Sequence, residues 1–308
     1  MLIKSFAALE SAMSERAPLR VVVAGAGDSR VLDALAAAAQ DNLIGAAILV
    51  GDGVEIKRLL PGSLTDIADI INAPEADACA VMAVAVVRQG RADVLVKGSV
   101  NSAAYLRAVV NKETGLRKSG PLSNLTLAEM PSLDRLIGAT DNGIILAPTL
   151  EQKRAILRNT QALFLGLGIS HPRVAAIAAS EKVSERQPAT TDAAALSAEA
   201  RQGDFGTMSI EGPFGYDVAL SKAAAEAKGI TDSAVAGRAD LILFPNIEAG
   251  NATVKAWKLH GQARTASVVL GASVPVLLNS RSDAVEQRRL GLVLAQAIIA
   301  GLALQDGD

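Results

Sequence analysis

Val274-Pro275-Val276-Leu277-Leu278-Asn279-Ser280-Arg281-Ser282-Asp283 is an apolar run that ends abruptly in a hydroxyl, a guanidinium and a carboxylate. Strands buried on both faces of a parallel sheet read as continuous aliphatic runs, and in open α/β sheets ligands bind beyond the carboxyl ends of such strands. A Ser-Arg pair at that position, with Asp283 at a helix start, reads as an anion site, and phosphate is the anion expected.

Working outward from this run, short β-branched segments alternate with Ala/Leu-rich helical patterns along nearly the whole chain, the signature of βαβ units and a mainly parallel sheet. Strands are expected at 20–24, 46–50, 94–96, 143–146, 174–178, 207–210, 241–244, 267–270 and 274–278. Ser63-Leu-Thr-Asp66 has the form of an N-cap opening a helix, Pro74 suits a first helical position, and Pro148-Thr149 precedes the amphipathic stretch 151–167. The segment 118–131 is rich in Gly, Pro and Ser with weak periodicity, so a domain crossing is expected at 138–140, with the return near Ser280. The expected organisation is therefore residues 1–139 plus 283–308 as a first α/β domain and 140–282 as a second. The last helix, 284–302, should pack back on the first domain.

Composition narrows the function. The 308 residues allow two domains, and a half-hydrophobic chain with 3% aromatics predicts a tightly packed aliphatic core. Thirty basic and thirty-two acidic residues leave no global field to attract nucleic acid or an anionic membrane, so anion binding must be local. The single cysteine, Cys79, reads as a buried thiol and fits a reducing compartment. Residues 1–20 lack an apolar secretory core, and the apolar runs near 76–87 and 292–304 look too short or too interrupted to span a bilayer, so a soluble cytoplasmic protein is expected. Neither His171 nor His260 has a metal-ligand partner at suitable spacing, and no Gly-x-Ser-x-Gly elbow is present.

Four further motifs follow apolar runs. Gly25-Ala-Gly27-Asp28-Ser-Arg30, with Asp52 after the next strand, imitates a dinucleotide fingerprint, but Arg30 stands where a third glycine is needed for close helix packing. Lys97-Gly98 ends a strand and enters a helix carrying Tyr105 and Arg107, an arrangement able to meet an anion; solvated surface cations are the plain alternative for Lys97, Arg107 and Arg117. In Phe244-Pro-Asn-Ile-Glu-Ala-Gly250-Asn251 followed by Lys255, a helix starting near Glu248 puts Asn251 and Lys255 on one face, and Gly250 points to a close backbone approach. Asp217, after Gly212-Pro213, is by default a helix N-cap, with a role in the site as the other reading.

Together these segments resemble the phosphate acetyl/butyryltransferases over about residues 44–302. The resemblance is carried by Leu95-Val-Lys-Gly98, Gly212-Pro213 through Asp217, Lys228-Gly229, Ala236-Gly237 with Ala239-Asp240, Ile247-Glu-Ala-Gly-Asn251 with Lys255, and Pro275 through Asp283; the Lys-Gly and Ser-Arg-Ser-Asp forms are closer to the butyryl branch. It implies a two-domain α/β subunit of the isocitrate/isopropylmalate dehydrogenase-like type, with mainly parallel sheets, flanking helices and an interdomain active site. It further implies a homodimer or higher assembly, and reversible acyl transfer between coenzyme A and inorganic phosphate, giving acyl phosphate. No cofactor is implied, since coenzyme A is a substrate, and no metal. Ser280 and Arg281 inherit contacts to phosphate and acyl group, with Asp283 as a candidate base; Lys97, Gly98, Arg107, Asp217, Asn251 and Lys255 are substrate-binding candidates. The chain departs from the pattern at two places. Gln287 falls where the acetyl branch has an aspartate, and Ser123-Asn124 replaces the Ser-His frequent in the butyryl branch. A NAD-dependent hydroxyacid dehydrogenase of the related fold and a non-catalytic acyl-CoA-binding subunit are the competing readings.

Overall fold

The computed structural model describes residues 3–279 and 283–305. Ser280 and Arg281, the two residues on which the anion-site expectation centres, lie outside the described residues. The chain divides into two compact units, one of residues 6–120 and 266–308 and the other of residues 1–5 and 121–265.

The first unit begins with α1 (Phe6–Ser14) and runs through β1 (Leu19–Ala24), α2 (Ser29–Gln40), β2 (Ile44–Gly51), α3 (Gly53–Leu59), β3 (Ala68–Asn72), α4 (Ala76–Arg88), β4 (Val94–Lys97) and α5 (Ser102–Val110). Apart from Arg20, every β1 residue is buried, because helices cover both faces of a parallel sheet. The middle unit holds β5 (Ser123–Glu129), β6 (Ile137–Thr140), α6 (Leu150–Asn159), α7 (Gln161–Gly166), β7 (Arg173–Ile177), α8 (Pro188–Gln202), β8 (Ser209–Phe214), α9 (Tyr216–Leu220), α10 (Lys222–Ala227), β9 (Leu241–Leu243) and α11 (Ile247–Leu259). The chain then forms β10 (Arg264–Leu270), β11 (Val276–Leu277) and α12 (Val285–Gln305), which complete the first unit.

In the first unit the strand order is β3-β2-β1-β4-β11-β10; β3 through β11 run parallel and β10 antiparallel to β11. The chain moves outward from β1 to β3 and returns to β4 on the other side of β1, so the β1/β4 junction is a topological switch point. In the middle unit the order is β5-β6-β9-β7-β8, with β6, β9, β7 and β8 parallel and β5 antiparallel to β6. One core of this unit gathers Met130, Ile137, Ile242, Phe244, Val254 and Trp257.

Several expected boundaries move, each for a local reason. Residues 143–146 are not a strand: the Asp141 carboxylate accepts the backbone N–H groups of Gly143, Ile144 and Ile145 at 2.9–3.0 Å, leaving no ladder to form. The strands lie instead at β5 and β6, inside the stretch read as linker and crossing. Because β5 and β6 form an antiparallel pair, and β11 returns to β4, the units change over at 120/121 and 265/266 rather than at 139/140 and 282/283. Ser63 opens no helix. Gly62–Leu64 is a single 3-10 turn, after which Ala47 N–H donates to Ile67 O at 2.8 Å and draws the chain into β3. Thr149, just before the amphipathic stretch, caps α6 in a full capping box with Gln152.

The last helix packs on α1 and α2, as expected. By length and composition it could cross a bilayer, contrary to the sequence expectation, yet 67% of its apolar window is buried inside the protein, which makes it a core helix.

Candidate active site at the carboxyl edges of the sheets

At the switch point, β1 and β4 end side by side and are followed by Gly25 and Gly98. Gly98 N–H donates to Ala24 O at 2.9 Å and Ser99 N–H to Gly25 O at 2.7 Å. A Cβ on Gly98 would lie 2.0 Å from Gly25 O, so only glycine allows this approach. Gly25 itself has φ +76°, the left-handed region that glycine adopts at least cost. Lys97, one residue earlier, is 4% exposed, with Nζ 3.2 Å from Gly98 O. The structure thus rules out the plain alternative of a solvated lysine at this position.

β11 lies parallel to β4, pairing Val276 with Leu95 and Leu277 with Val96, and so carries the chain toward Asn279 beside the end of β4. The two strands are also locked by Tyr105 of α5. Its fully buried hydroxyl is 3.0 Å from Leu95 O and 3.2 Å from Leu277 O and shares its proton between them. Burial pushes this phenol well above its ordinary value, so it remains a donor. Arg107, two residues on, is exposed. Asp283 precedes α12, and its backbone oxygen accepts from Arg288 Nε at 3.3 Å. Gln287 does not stand in for a base: its Oε1 accepts the Ala284 N–H at 3.0 Å and closes the start of α12.

The same edge of the middle unit carries a buried polar network that the sequence reading missed. The Asn124 amide donates to Asn142 Oδ1 at 2.7 Å, and the Asn142 amide to Thr126 Oγ1 at 2.9 Å. Asp141 accepts four backbone N–H groups, from Asn124, Gly143, Ile144 and Ile145. Burial nevertheless raises its carboxyl above the usual range, outweighing those bonds. The Asp141-Asn142-Gly143 run directly after an apolar segment was the available signal, obscured by placing a strand at 143–146. As the sequence predicted, Gly250 marks a close approach: a Cβ there would meet Asp141 O at 2.8 Å. Asn251 donates to Asn142 O at 3.2 Å. Lys255 is exposed one turn further along α11.

Asp217 stands apart, after the outer strand β8 and two strands away from β9 and Asn251. It is not the cap of α9, which is Gly215. Its carboxylate pairs with Lys228 Nζ at 3.1 Å, and Lys228 also holds Glu181 at 2.8 Å. The Lys228 hydrogen bond lowers both carboxyls. Among the described residues, Lys97, Gly98 and Asp283 belong to the first unit, whereas Asp217, Asn251 and Lys255 belong to the middle one. No cluster of three or more His, Cys, Asp or Glu able to hold a metal occurs among the described residues.

The dinucleotide imitation resolves as structure. Asp28 caps α2, accepting Arg30 N–H at 3.1 Å, and its carboxylate also pairs with the Arg30 guanidinium. The helix N-terminus that would hold a pyrophosphate is therefore met by the chain's own anion. Asp52 caps α3 through Val54 and Glu55.

Residues 65–297 match the family model described as phosphate acetyl/butaryl transferase. The chain belongs to the phosphate acetyl/butyryltransferase family. It is 38% identical to a phosphate butyryltransferase of Clostridium acetobutylicum, over 97% of this chain and 99% of that protein. It is 35% identical to a phosphate acetyltransferase of Rhizobium meliloti, over 96% and 92% respectively. Among solved structures it is similar to a branched-chain phosphotransacylase from Enterococcus faecalis, with TM-score 0.81, 25% identity and coverage of 91% of this chain and 99% of that one. A 4-hydroxythreonine-4-phosphate dehydrogenase from Klebsiella pneumoniae shares the fold at TM-score 0.55 and 13% identity. Membership places this phosphate acetyl/butyryltransferase relative among the transferases, and neither the dehydrogenase nor the binding-subunit reading gains support.

Proposed function

We propose that the chain catalyses acyl-CoA + phosphate ⇌ acyl phosphate + coenzyme A on short acyl groups (acetyl, propionyl or butyryl), by direct transfer in a ternary complex. The observation that carries this reading is the near end-to-end relationship to phosphate butyryl- and acetyltransferases. The parallel β4/β11 pair adds to it, since it sets the end of β11, which Asn279 follows, beside the strand end where Lys97 is buried.

Arg281 binds phosphate through its planar fork and offsets repulsion between the anionic substrates. Ser280 donates to the acyl carbonyl, a bond that strengthens as the tetrahedral oxyanion develops. In the reverse direction the thiol, with an ordinary pKa of about 8.5, is mostly protonated at neutral pH, and Asp283 is the base assigned to it. Lys97 and Arg107 add positive charge, and the backbone at Gly98 lets substrate approach. Asn251 and Lys255 contact coenzyme A; Asp217, held by Lys228, acts on the shape of its loop. Neither Ser280 nor Cys79 becomes acylated. The site lies between two domains of the isocitrate/isopropylmalate dehydrogenase-like type, and the enzyme works as a cytoplasmic homodimer or higher homo-oligomer.

Hydroxylamine trapping tests the reaction: adding phosphate to enzyme and butyryl-CoA should yield extra hydroxamate, from butyryl phosphate, in an amount equal to the phosphate-dependent thiol release. Thiol release without hydroxamate would mean simple thioester hydrolysis and refute the proposal.

A further inference from the structure

At the edge of the middle unit's sheet opposite to the one that leads into α11 lies a cavity of about 610 Å³, lined wholly by residues of that unit. Leu136 and Asp240 directly precede β6 and β9, and Arg173 opens β7, so the cavity sits at the amino ends of three neighbouring parallel strands. The N-terminal segment supplies another wall. Ile3 is buried, its N–H donating to Leu167 O at 3.2 Å, and the exposed Lys4 follows it. None of these residues is among those proposed for acyl transfer.

Four cationic side chains line the cavity, Lys4, Arg135, Arg173 and Arg238, against two carboxylates, Asp134 and Asp240. In a chain of net charge -2 this local excess runs against the general balance and sets up a field for an anion. Asp240 holds Arg173 through both of its oxygens, at 2.9 and 2.7 Å, and Asp134 pairs with Arg135 at 3.2 Å. With both carboxylates engaged, the charges of Lys4 and Arg238 stand uncompensated within the cavity. The guanidiniums are also anchored, Arg135 on Ala239 O at 3.1 Å and Arg238 on Ser233 O at 2.8 Å, so less freedom is lost when a ligand arrives. Apolar walls come from Ile3, Leu136 and Ile169.

We propose that this cavity binds a small organic phosphate monoester, at a site separate from the catalytic one. A monoester dianion puts two negative charges on one group and so meets both uncompensated cations, and guanidinium donors suit its oxygens. The volume falls within the range of about 300–1,000 Å³ usual for small-molecule sites, far more than inorganic phosphate fills, and the apolar walls take the organic part.

Isothermal titration with phenyl phosphate at about pH 8, where the monoester is a dianion, tests this without need of turnover. Binding should persist in Arg281→Ala, which lacks the proposed catalytic phosphate contact. In that background, adding Arg238→Ala should weaken it about tenfold, the size of one charge-assisted hydrogen bond, and adding Lys4→Ala about threefold, the size of one exposed charge. Toluenesulfonate, with the same ring and one charge, should bind about tenfold more weakly than phenyl phosphate. Arg238→Ala alone should leave the phosphate KM of thiol release unmoved. No binding by wild type, binding lost in Arg281→Ala but indifferent to both cavity substitutions, equal affinity for toluenesulfonate, or a phosphate KM that shifts with Arg238→Ala would overturn the proposal. A failure of the acyltransferase reading would instead show as absent thiol release with this binding intact.

Discussion

Tyr105→Phe isolates the tie between β4 and β11. The phenol is fully buried, its hydroxyl 3.0 Å from Leu95 O and 3.2 Å from Leu277 O. Phenylalanine keeps the ring in place, so the cavity cost of about 3–5 kcal/mol that follows aromatic truncation to alanine does not arise. What disappears is one donor shared by two carbonyls. A net hydrogen bond is worth about 1 kcal/mol, and leaving buried acceptors short of a donor adds to it, so the loss should be about 1–2 kcal/mol. With a urea slope of about 2 kcal/mol per molar, the unfolding midpoint by circular dichroism should fall by roughly 0.5–1 M. The chain's only tryptophan, Trp257, is buried in the middle unit, so its fluorescence reports on that unit alone. Because Ser280 and Arg281, the proposed phosphate contacts, follow β11 in sequence, phosphate KM should rise more than acyl-CoA KM. A midpoint within about 0.1 M of wild type, well inside the value expected for one buried hydrogen bond, would refute the reasoning, and so would a loss as large as that of Tyr105→Ala.

Other substitutions read other parts of the account. Gly98→Ala places a methyl group 2.0 Å from a backbone oxygen. The backbone has to move, so destabilisation of about 3 kcal/mol or more is expected in urea unfolding, and a mild effect would mean the β1/β4 turn is not tightly packed. The Arg20–Asp93 pair joins β1 to the start of β4, with bonds from the Arg20 backbone at 2.9 Å and the guanidinium at 2.5 and 3.1 Å. Burial works against the Asp93 carboxylate, but the Arg20 bonds and charge more than offset it and hold its pKa below the ordinary value. Its stabilisation is therefore present above the unfolded value of about 3.9 and is lost as pH falls through the lower folded value. Being half-exposed, the pair should contribute no more than about 1 kcal/mol, and Arg20→Met should remove that share of the acid dependence; an identical stability–pH curve for the variant would contradict it.

The parts of the fold set by local pattern were legible in the sequence. Continuous aliphatic runs marked β1, β2, β4 and β9, because burial on both faces leaves no room for polar alternation. The helix after Pro148-Thr149 and the close approach at Gly250 were equally readable, the latter depending on one residue's own chemistry. What escaped was decided by partners distant in sequence. β3 is a half-exposed edge strand whose existence depends on pairing with β2. The loop at 141–145 depends on a side chain taking the backbone donors that a strand would have used. Asp217 has a cap-like sequence context, and only the position of Lys228 reveals its ion pair. The strand-end rule drew attention to Lys97, which is buried where β4 ends, and to Asn251. It could not indicate that Tyr105 ties two strands together.

Phosphate-dependent release of coenzyme A thiol from acetyl-, propionyl- and butyryl-CoA, by wild type and Arg281→Ala in parallel, bears most directly on the central claim. The account predicts release that requires phosphate in wild type, and a fall of about 10²–10³-fold in the variant, the scale of losing a charge-stabilising donor in the transition state. Phosphate-dependent turnover that survives intact in Arg281→Ala, or no release by wild type from any of the three thioesters, would contradict it.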